Sequence, residues 1–251
     1  MSKNYKASIR DAKKKQQVNT LPYPFINPII CTKDESGNIG ILDGQYRVGV
    51  CKIIGVNPAC IIIEEVYDSS EFWEKYHSIR ANQKEKLEKY IKDNNVDFLT
   101  QIQWSSSDDK MQKFIDYVDN FKKDKDYWEQ LSLVYQGMNN SYKLQEEIKQ
   151  LFQVKRPNKE SLMTDEELKL LSKLPDNITI YRGMSIVEKK SEIYGISWSL
   201  DEQVAKKFAE TFPHNYDTKG LEMAVEKKII NKKDVVAYFT GRNESEIIYI
   251  S

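Results

Sequence analysis

The stretch that decides the fold reads Asn177-Ile178-Thr179-Ile180-Tyr181-Arg182-Gly183. Its alternation of apolar and polar side chains predicts a half-buried β-strand that ends at Arg182. Further on, Gly195-Ile196-Ser197-Trp198-Ser199 precedes a helical pattern, and Gly241-Arg242-Asn243-Glu244-Ser245-Glu246-Ile247-Ile248 opens an apolar strand. The sequence therefore places an arginine, a pair of serines and a pair of carboxylates at the ends of three strands, in that order.

The regions next to these motifs predict a β-rich C-terminal part after a helical part. Alternation at Leu221, Met223 and Val225 and the apolar runs Val235 to Phe239 and Ile247 to Ile250 predict strands. From about Ser69 to Leu174 the pattern is helical instead, and Thr164 with Glu167 predicts a capping box. Two apolar stripes are expected to lie in the core: Met111, Phe114, Ile115 and Val118, and Leu144, Ile148, Leu151 and Phe152.

The N-terminal region predicts a small α/β unit. Its strands are expected at Pro28 to Thr32 and Ile39 to Leu42, joined by turn residues, and a helix-like segment follows from Gln45 to Ile54. The apolar run Cys60 to Ile63 predicts a strand that is buried on both faces. With 251 residues, the chain is expected to be α+β in two domains, residues 1–110 and residues 111–251.

Composition excludes several classes of protein. Lys plus Arg equals Asp plus Glu at 38 each, so no net field draws the molecule to nucleic acid or to an anionic membrane. Several lysines and one arginine lie close together between Lys3 and Lys15. This basic segment is either a solvated arm or an arm that contacts phosphates. The cysteines Cys31, Cys51 and Cys60 lack metal-ligand spacing. We therefore expect a cytoplasmic protein with no metal and no membrane partner.

The three C-terminal motifs together resemble the arginine-serine-glutamate class of ADP-ribosyltransferases. The resemblance implies a split β-sheet lobe that takes NAD as substrate and releases nicotinamide. Arg182 would bind the phosphates of NAD through its planar fork of N–H donors. Glu246 would accept a hydrogen bond from the ribose 2′-hydroxyl and stabilise the oxocarbenium-like ribose, and Ser197 would orient Glu246.

The same resemblance assigns lesser parts to the neighbours of these residues. Tyr181 and Gly183 flank the arginine, and the missing Cβ of Gly183 would let the nicotinamide approach the backbone. Trp198 would either wall the pocket or pack in the core. Ser199 matches the second serine of the family motif, although with Glu202 it also predicts a capping box for the following helix.

Glu244 matches the position that selects the acceptor in this family. Glutamate there accompanies transfer to arginine side chains. Side chains two positions apart on a strand share a face, so Glu244 and Glu246 are expected to point into one cleft, where their charges interact. The same pair could also orient an exocyclic base amine or a water molecule.

The N-terminal sequence Leu42-Asp43-Gly44-Gln45-Tyr46-Arg47 resembles the Asp-Gly-x-x-Arg signature of the ParB and sulfiredoxin superfamily. The resemblance implies a phosphate-binding turn in which Gly44 bends the chain and Arg47 pairs with the phosphate. Gln45 stands where a sulfiredoxin has its nucleophilic cysteine, which argues against that chemistry. The alternative is that Asp43 and Gly44 only form a turn and that Arg47 is a surface residue.

Two classes of function remain open from the sequence. The first is a mono-ADP-ribosyltransferase that acts on a macromolecule, with a protein as the leading acceptor and an arginine side chain as the candidate group. The second is a nucleotide- or nucleic-acid-binding ParB-like protein whose transferase lobe is inactive. A transferase that modifies DNA or RNA presented by the N-terminal domain would combine the two. A toxin, a phage effector and a defence protein would share these features.

Overall fold

The computed structural model describes residues 28–34, 36–44, 48, 51, 59–138, 144–215, 222–241 and 244–250. The chain divides into two compact units, Met1–Trp104 and Ser105–Ser251. Each unit contains helices and a β-sheet, so the fold class is mixed α+β, as the sequence predicts. The sequence predicts the boundary after residue 110, which is a few residues beyond the division after Trp104. Within the described residues, no helix combines the length and the apolar character needed to cross a bilayer.

The N-terminal unit contains a three-stranded sheet. Its strands are β1 (Ile29–Lys33), β2 (Ile39–Asp43) and β3 (Cys60–Ile63), in the order β2-β1-β3. The β1–β2 pair is antiparallel and the β1–β3 pair is parallel. In the turn between β1 and β2, Asp34 Oδ1 accepts a hydrogen bond of 2.8 Å from the Asn38 amide, which is an Asx-type turn. The strands and the turn predicted here are confirmed.

Two helices follow the sheet, α1 (Ser70–Asp93) and α2 (Phe98–Trp104). Phe72 of α1 packs with Ile30 and Ile63 in a buried cluster. The prediction that β3 is buried on both faces is wrong, because Ile62 is 41% exposed while its neighbour Ile63 faces the cluster. The physical reason is that Phe72 of α1 packs on the face of the sheet that carries Ile30 and Ile63, whereas Ile62 points to the opposite face.

The predicted helix from Gln45 to Ile54 falls almost wholly outside the described residues. Within that segment, only Val48 and Cys51 are described, and both are helical.

The C-terminal unit begins with four helices, α3 (Lys110–Asp116), α4 (Asp124–Gly137), α5 (Gln145–Gln153) and α6 (Asp165–Lys173). The predicted stripes are buried at Met111, Phe114, Ile148, Leu151 and Phe152. Val118 lies beyond α3, in a short 3₁₀ turn, and is not part of its stripe. The predicted capping box at the start of α6 is confirmed, with Thr164 and Glu167 bonded to each other's backbone amides.

A five-stranded antiparallel sheet completes the C-terminal unit. Its strands are β4 (Asn177–Ser185), β5 (Ser197–Ser199), β6 (Met223–Asn231), β7 (Val235–Phe239) and β8 (Glu246–Tyr249), in the order β6-β4-β5-β8-β7. Helix α7 (Ile186–Ser191) follows β4, and α8 (Glu202–Asn215) follows β5. The strand that carries Arg182 continues to Ser185, so the expectation that Arg182 ends its strand is wrong. The sheet nevertheless brings the three motifs onto adjacent strands, β4, β5 and β8.

Candidate active site

Ser197 and Glu246 meet at the centre of the five-stranded sheet. Strands β5 and β8 pair antiparallel, with Ser199 opposite Glu246. The Ser197 hydroxyl donates a hydrogen bond of 2.6 Å to Glu246 Oε1. Glu246 is only 8% exposed, and a buried carboxylate needs hydrogen-bond donors to remain in place. Serine supplies one such donor, as the sequence predicts for Ser197.

The second donor to Glu246 is Tyr135, which the sequence analysis does not identify. Tyr135 lies on α4, and its hydroxyl donates a hydrogen bond of 3.0 Å to the same oxygen, Oε1. The ring packs edge-on against Phe152, with centroids 5.2 Å apart, and also against Phe239. Burial, followed by the charge of Glu246 and the hydrogen bond to it, raises the pKa of Tyr135 well above 10.0. The hydroxyl therefore stays protonated and remains a donor.

The other carboxylate oxygen, Glu246 Oε2, differs from Oε1 in its surroundings. It accepts no hydrogen bond from the described residues, and it is not among their fully buried unpartnered atoms, so it keeps contact with solvent. No lysine or arginine of the described residues forms an ion pair with Glu246. The site thus presents a carboxylate that is held at one oxygen by two hydroxyls and is open at the other.

Arg182 is held rigidly near this carboxylate. Its Nε donates a hydrogen bond of 2.8 Å to Glu188 Oε1, and its Nη1 donates one of 2.7 Å to the carbonyl oxygen of Ser197. The same Glu188 oxygen accepts from the Gly195 amide, and a Cβ on Gly195 would lie 2.4 Å from Arg182 Nη2. Arginine carries five N–H donors, so others remain for an anion once these two bonds are made. Glu188 is a second residue that the sequence analysis does not identify.

A small cleft lies between the strands that carry Arg182 and Ser197 and the helices that carry Tyr135 and Lys149, and Glu246 itself does not line it. Arg182, Tyr194 and Ser197 line it on one side, and Tyr135 and residues of the first turns of α5 line the other. The cavity volume is about 40 Å³, which corresponds to a few water molecules. Lys149 also lines the cleft and forms no ion pair within the part of the chain that the structure describes. A dinucleotide would therefore have to displace the side chains at the mouth of the cleft in order to bind.

Gly183 has a structural reason to be glycine that differs from the expected one. A Cβ at this position would lie 2.1 Å from the carbonyl oxygen of Ala205 and 2.7 Å from the Ala209 amide. The missing side chain thus allows α8 to pack directly on β4. Tyr181 pairs with Ser199 across the strands, and neither Tyr181 nor Gly183 lines the cleft.

Trp198 packs in the core, which is one of the two alternatives for this residue. It is 2% exposed and contacts Tyr194 and Tyr249 edge-on. It does not line the cleft, whereas Tyr194 does. The aromatic side chain in the wall of the cleft is therefore Tyr194, in the place that the other alternative gave to Trp198.

The predicted capping box of Ser199 and Glu202 is wrong. Helix α8 begins at Glu202, and Asp201 Oδ1 accepts a hydrogen bond of 2.8 Å from the Gln203 amide. The Ser199 hydroxyl donates instead to the Glu244 carbonyl oxygen at 2.6 Å and accepts from the Asp201 amide at 2.9 Å. A cap must lie next to the first helical turn, and Ser199 is still in β5. Its part in the structure is to join two strand ends.

Glu244 does not share a strand face with Glu246, contrary to the prediction. Strand β8 begins only at Glu246, and Ser245 has a left-handed backbone with φ of 45°. Two hydrogen bonds fix this bend, one from Ser199 to the Glu244 carbonyl oxygen and one of 3.0 Å from the Leu200 amide to the Ser245 carbonyl oxygen. The two-residue period of a strand therefore does not relate the two carboxylates.

The Asp43-Gly44 motif lies in the N-terminal unit, and its carboxylate is bonded to an arginine, whereas the carboxylate of Glu246 is bonded to hydroxyls. Asp43 Oδ2 accepts a hydrogen bond of 2.5 Å from Arg80 of α1. Gly44 has the positive φ expected there, 103°, and its carbonyl oxygen accepts from the Val48 amide at 3.0 Å; the rest of the predicted turn, residues 45–47, lies outside the described residues. Arg47, the expected phosphate ligand, lies outside the described residues.

The described residues contain no group of three or more histidine, cysteine, aspartate or glutamate side chains that could hold a metal ion. Comparison with known proteins identifies no relative. No protein-family model matches the chain, and neither the curated proteins nor the solved structures contain a significant match.

Proposed function

We propose that the protein is an NAD-dependent mono-ADP-ribosyltransferase that transfers ADP-ribose from NAD to a macromolecular acceptor. The observation that carries this proposal is the 2.6 Å hydrogen bond from Ser197 to Glu246, with Arg182 beside it on the adjacent strand. The arrangement combines a cation, an orienting hydroxyl and a carboxylate, which are the groups that cleavage of NAD requires. In fold terms, we propose that the C-terminal unit is a split-sheet transferase lobe.

The chemistry assigns one task to each residue. The bond between the ribose C1′ and the nicotinamide nitrogen breaks, and its electron pair leaves with nicotinamide. The ribose becomes oxocarbenium-like, and Glu246 stabilises that positive charge while Oε2 accepts a hydrogen bond from the 2′-hydroxyl. Arg182 directs its remaining N–H donors to the phosphates. The acceptor nucleophile then bonds to C1′ and gives up its proton.

The acceptor is proposed to be a protein, with an arginine side chain as the candidate group. Glu244 is the residue that would align the guanidinium and take its proton. Its backbone is fixed by the Ser199 hydroxyl at the bend that lies two residues before β8 begins. A nucleic acid is the alternative acceptor for the same chemistry.

The direct test is incubation of the purified full chain with NAD labelled in the adenylate part, in the presence of whole-cell lysate. The proposal predicts label in macromolecules and release of free nicotinamide. Digestion of parallel samples with protease and with nuclease then separates the two acceptor classes. No release of nicotinamide, with or without lysate, would overturn the proposal.

A second candidate function rests on the turn at Gly44. Its positive φ and its hydrogen bond from Val48 give the strand-to-helix turn that a ParB-like phosphate-binding module needs. On this proposal, the N-terminal unit binds nucleotide or nucleic acid and the C-terminal lobe is inactive. Loss of binding to labelled nucleotide in Arg47→Ala, together with no NAD cleavage by the wild type, would favour it.

A further inference from the structure

We propose that Tyr135 is a positioning residue that holds Glu246 in its catalytic orientation jointly with Ser197. The inference rests on the proposed function and assigns to it a residue from the helical part of the unit. The starting observation is that Tyr135 and Ser197 both donate to Oε1 of Glu246, at 3.0 Å and 2.6 Å. Tyr135 lies 111 residues before Glu246 in the chain and Ser197 lies 49 residues before it, so the two hydrogen bonds to the carboxylate come from different parts of the unit.

Two donors on one oxygen do more than one donor can. A carboxylate held by a single hydrogen bond can still rotate about its terminal torsion, which is soft. Tyr135 and Ser197 approach Oε1 from a helix and from a strand, so together they fix the plane of the carboxylate. Oε2 then has a defined direction in which to meet the ribose 2′-hydroxyl. Placement of this kind matters because a misplacement of about 1 Å can cost roughly 10²-fold in rate.

Removing the partner of the Tyr135 hydroxyl would also cost free energy. Tyr135 is buried, and a buried hydroxyl without a partner is unfavourable. The ring is fixed by Phe152 and Phe239, so the hydroxyl cannot turn away to find water. The side chain is thus committed to Glu246, and not merely within reach of it.

Tyr135→Phe tests the inference because it removes the hydroxyl and keeps the ring. Tyr127→Phe is the matched control: Tyr127 lies on the same helix, is also buried, and donates at 2.9 Å to the Leu151 carbonyl oxygen and not to Glu246. For NAD cleavage we expect Tyr135→Phe to lower kcat about tenfold with little change in KM. A loss of this size corresponds to the removal of one hydrogen bond to a charged group. Tyr127→Phe should leave kcat unchanged.

The combination with Ser197→Ala sharpens the test. If the two hydroxyls fix the carboxylate only together, the double variant should lose less activity than the product of the two single losses, because either single loss already frees the carboxylate to rotate. An unchanged kcat in Tyr135→Phe, an equal loss in Tyr127→Phe, or losses that simply multiply would each overturn the inference while leaving the proposed function intact. A wild type that cleaves no NAD would overturn the proposed function, and the inference with it.

Discussion

Asp43 and Glu246 are two carboxylates at strand termini, one in each unit, and their surroundings differ. Asp43 ends β2 and is paired with the cation Arg80, and both side chains are about a quarter exposed. Glu246 begins β8, is buried, and is contacted by hydroxyls. The charge of Asp43 is therefore balanced within the protein. No cation of the described residues forms an ion pair with Glu246.

The difference is the one expected between a structural carboxylate and the reactive carboxylate that we propose at Glu246. An ion pair satisfies a carboxylate and leaves it little to offer a ligand. Hydroxyl donors orient a carboxylate without neutralising it, which suits a group that must stabilise developing positive charge. In both cases one partner is on a helix, Arg80 on α1 and Tyr135 on α4, and for Glu246 it acts beside Ser197 on the motif strand β5.

The largest effect is expected where the sheet of the Glu246 unit is packed most tightly. Gly183→Ala would place a methyl group 2.1 Å from the Ala205 carbonyl oxygen, so β4 and α8 must move apart. We expect the free energy of unfolding to fall by about 3 kcal/mol or more. Urea denaturation followed by circular dichroism measures this change.

Gly40→Ala is the control in the other unit, since its Cβ would lie 3.5 Å from the Thr32 methyl carbon, an ordinary contact. Its stability should change by less than about 1 kcal/mol. Equal losses in the two variants would contradict the difference in packing between the two sheets.

The next effect separates the two serines of β5. Ser197→Ala removes a donor to Glu246 and should lower NAD cleavage about 10- to 100-fold, with little loss of stability. Ser199→Ala removes the bond that joins β5 to the Glu244 carbonyl oxygen and should cost about 1 kcal/mol of stability, with a smaller loss of activity. Rates of nicotinamide release and urea midpoints, measured on both variants, test this division. The reverse pattern would mean that the two hydroxyls have been assigned the wrong tasks.

The smallest effect is expected at the ion pair of Asp43. Because both partners are partly exposed, Arg80→Ala should lower the free energy of unfolding by about 1 kcal/mol or less. NAD cleavage should be unchanged, since the pair lies in the other unit. Thermal denaturation and the rate of nicotinamide release check the two parts. A loss of activity comparable to that of Ser197→Ala would remove the contrast between the two carboxylates.

The sequence predicts well the features that depend on neighbours along the chain. The strand Val235 to Phe239 is found as predicted, and the capping box of Thr164 and Glu167 is present. Both depend on local rules: a strand follows from a run of apolar residues, and a capping box follows from two polar residues three positions apart at a helix start. The positive φ of Gly44 belongs to the same group, because glycine itself permits that conformation.

The sequence fails where tertiary contacts decide. Tyr135 stands in the buried stripe of α4, and a buried tyrosine needs a partner, but nothing local indicates that the partner is Glu246. Glu244 is misplaced because Ser245 adopts a left-handed conformation that serine rarely takes, held by hydrogen bonds to Ser199 and Leu200. Such a bend becomes visible only when β5 and β8 are side by side.

The central claim is that Glu246 acts on the ribose of NAD, and Glu246→Gln tests it most directly. Glutamine keeps the size of the side chain and an oxygen for the hydroxyls of Tyr135 and Ser197, but it removes the charge. The rate of nicotinamide release should fall by about 10²- to 10³-fold, while the melting temperature stays close to that of the wild type. Asp43→Asn, the same change at the other carboxylate, should leave the rate within about twofold, since Asp43 is placed outside the site. A Glu246→Gln variant that releases nicotinamide at the wild-type rate would contradict the account.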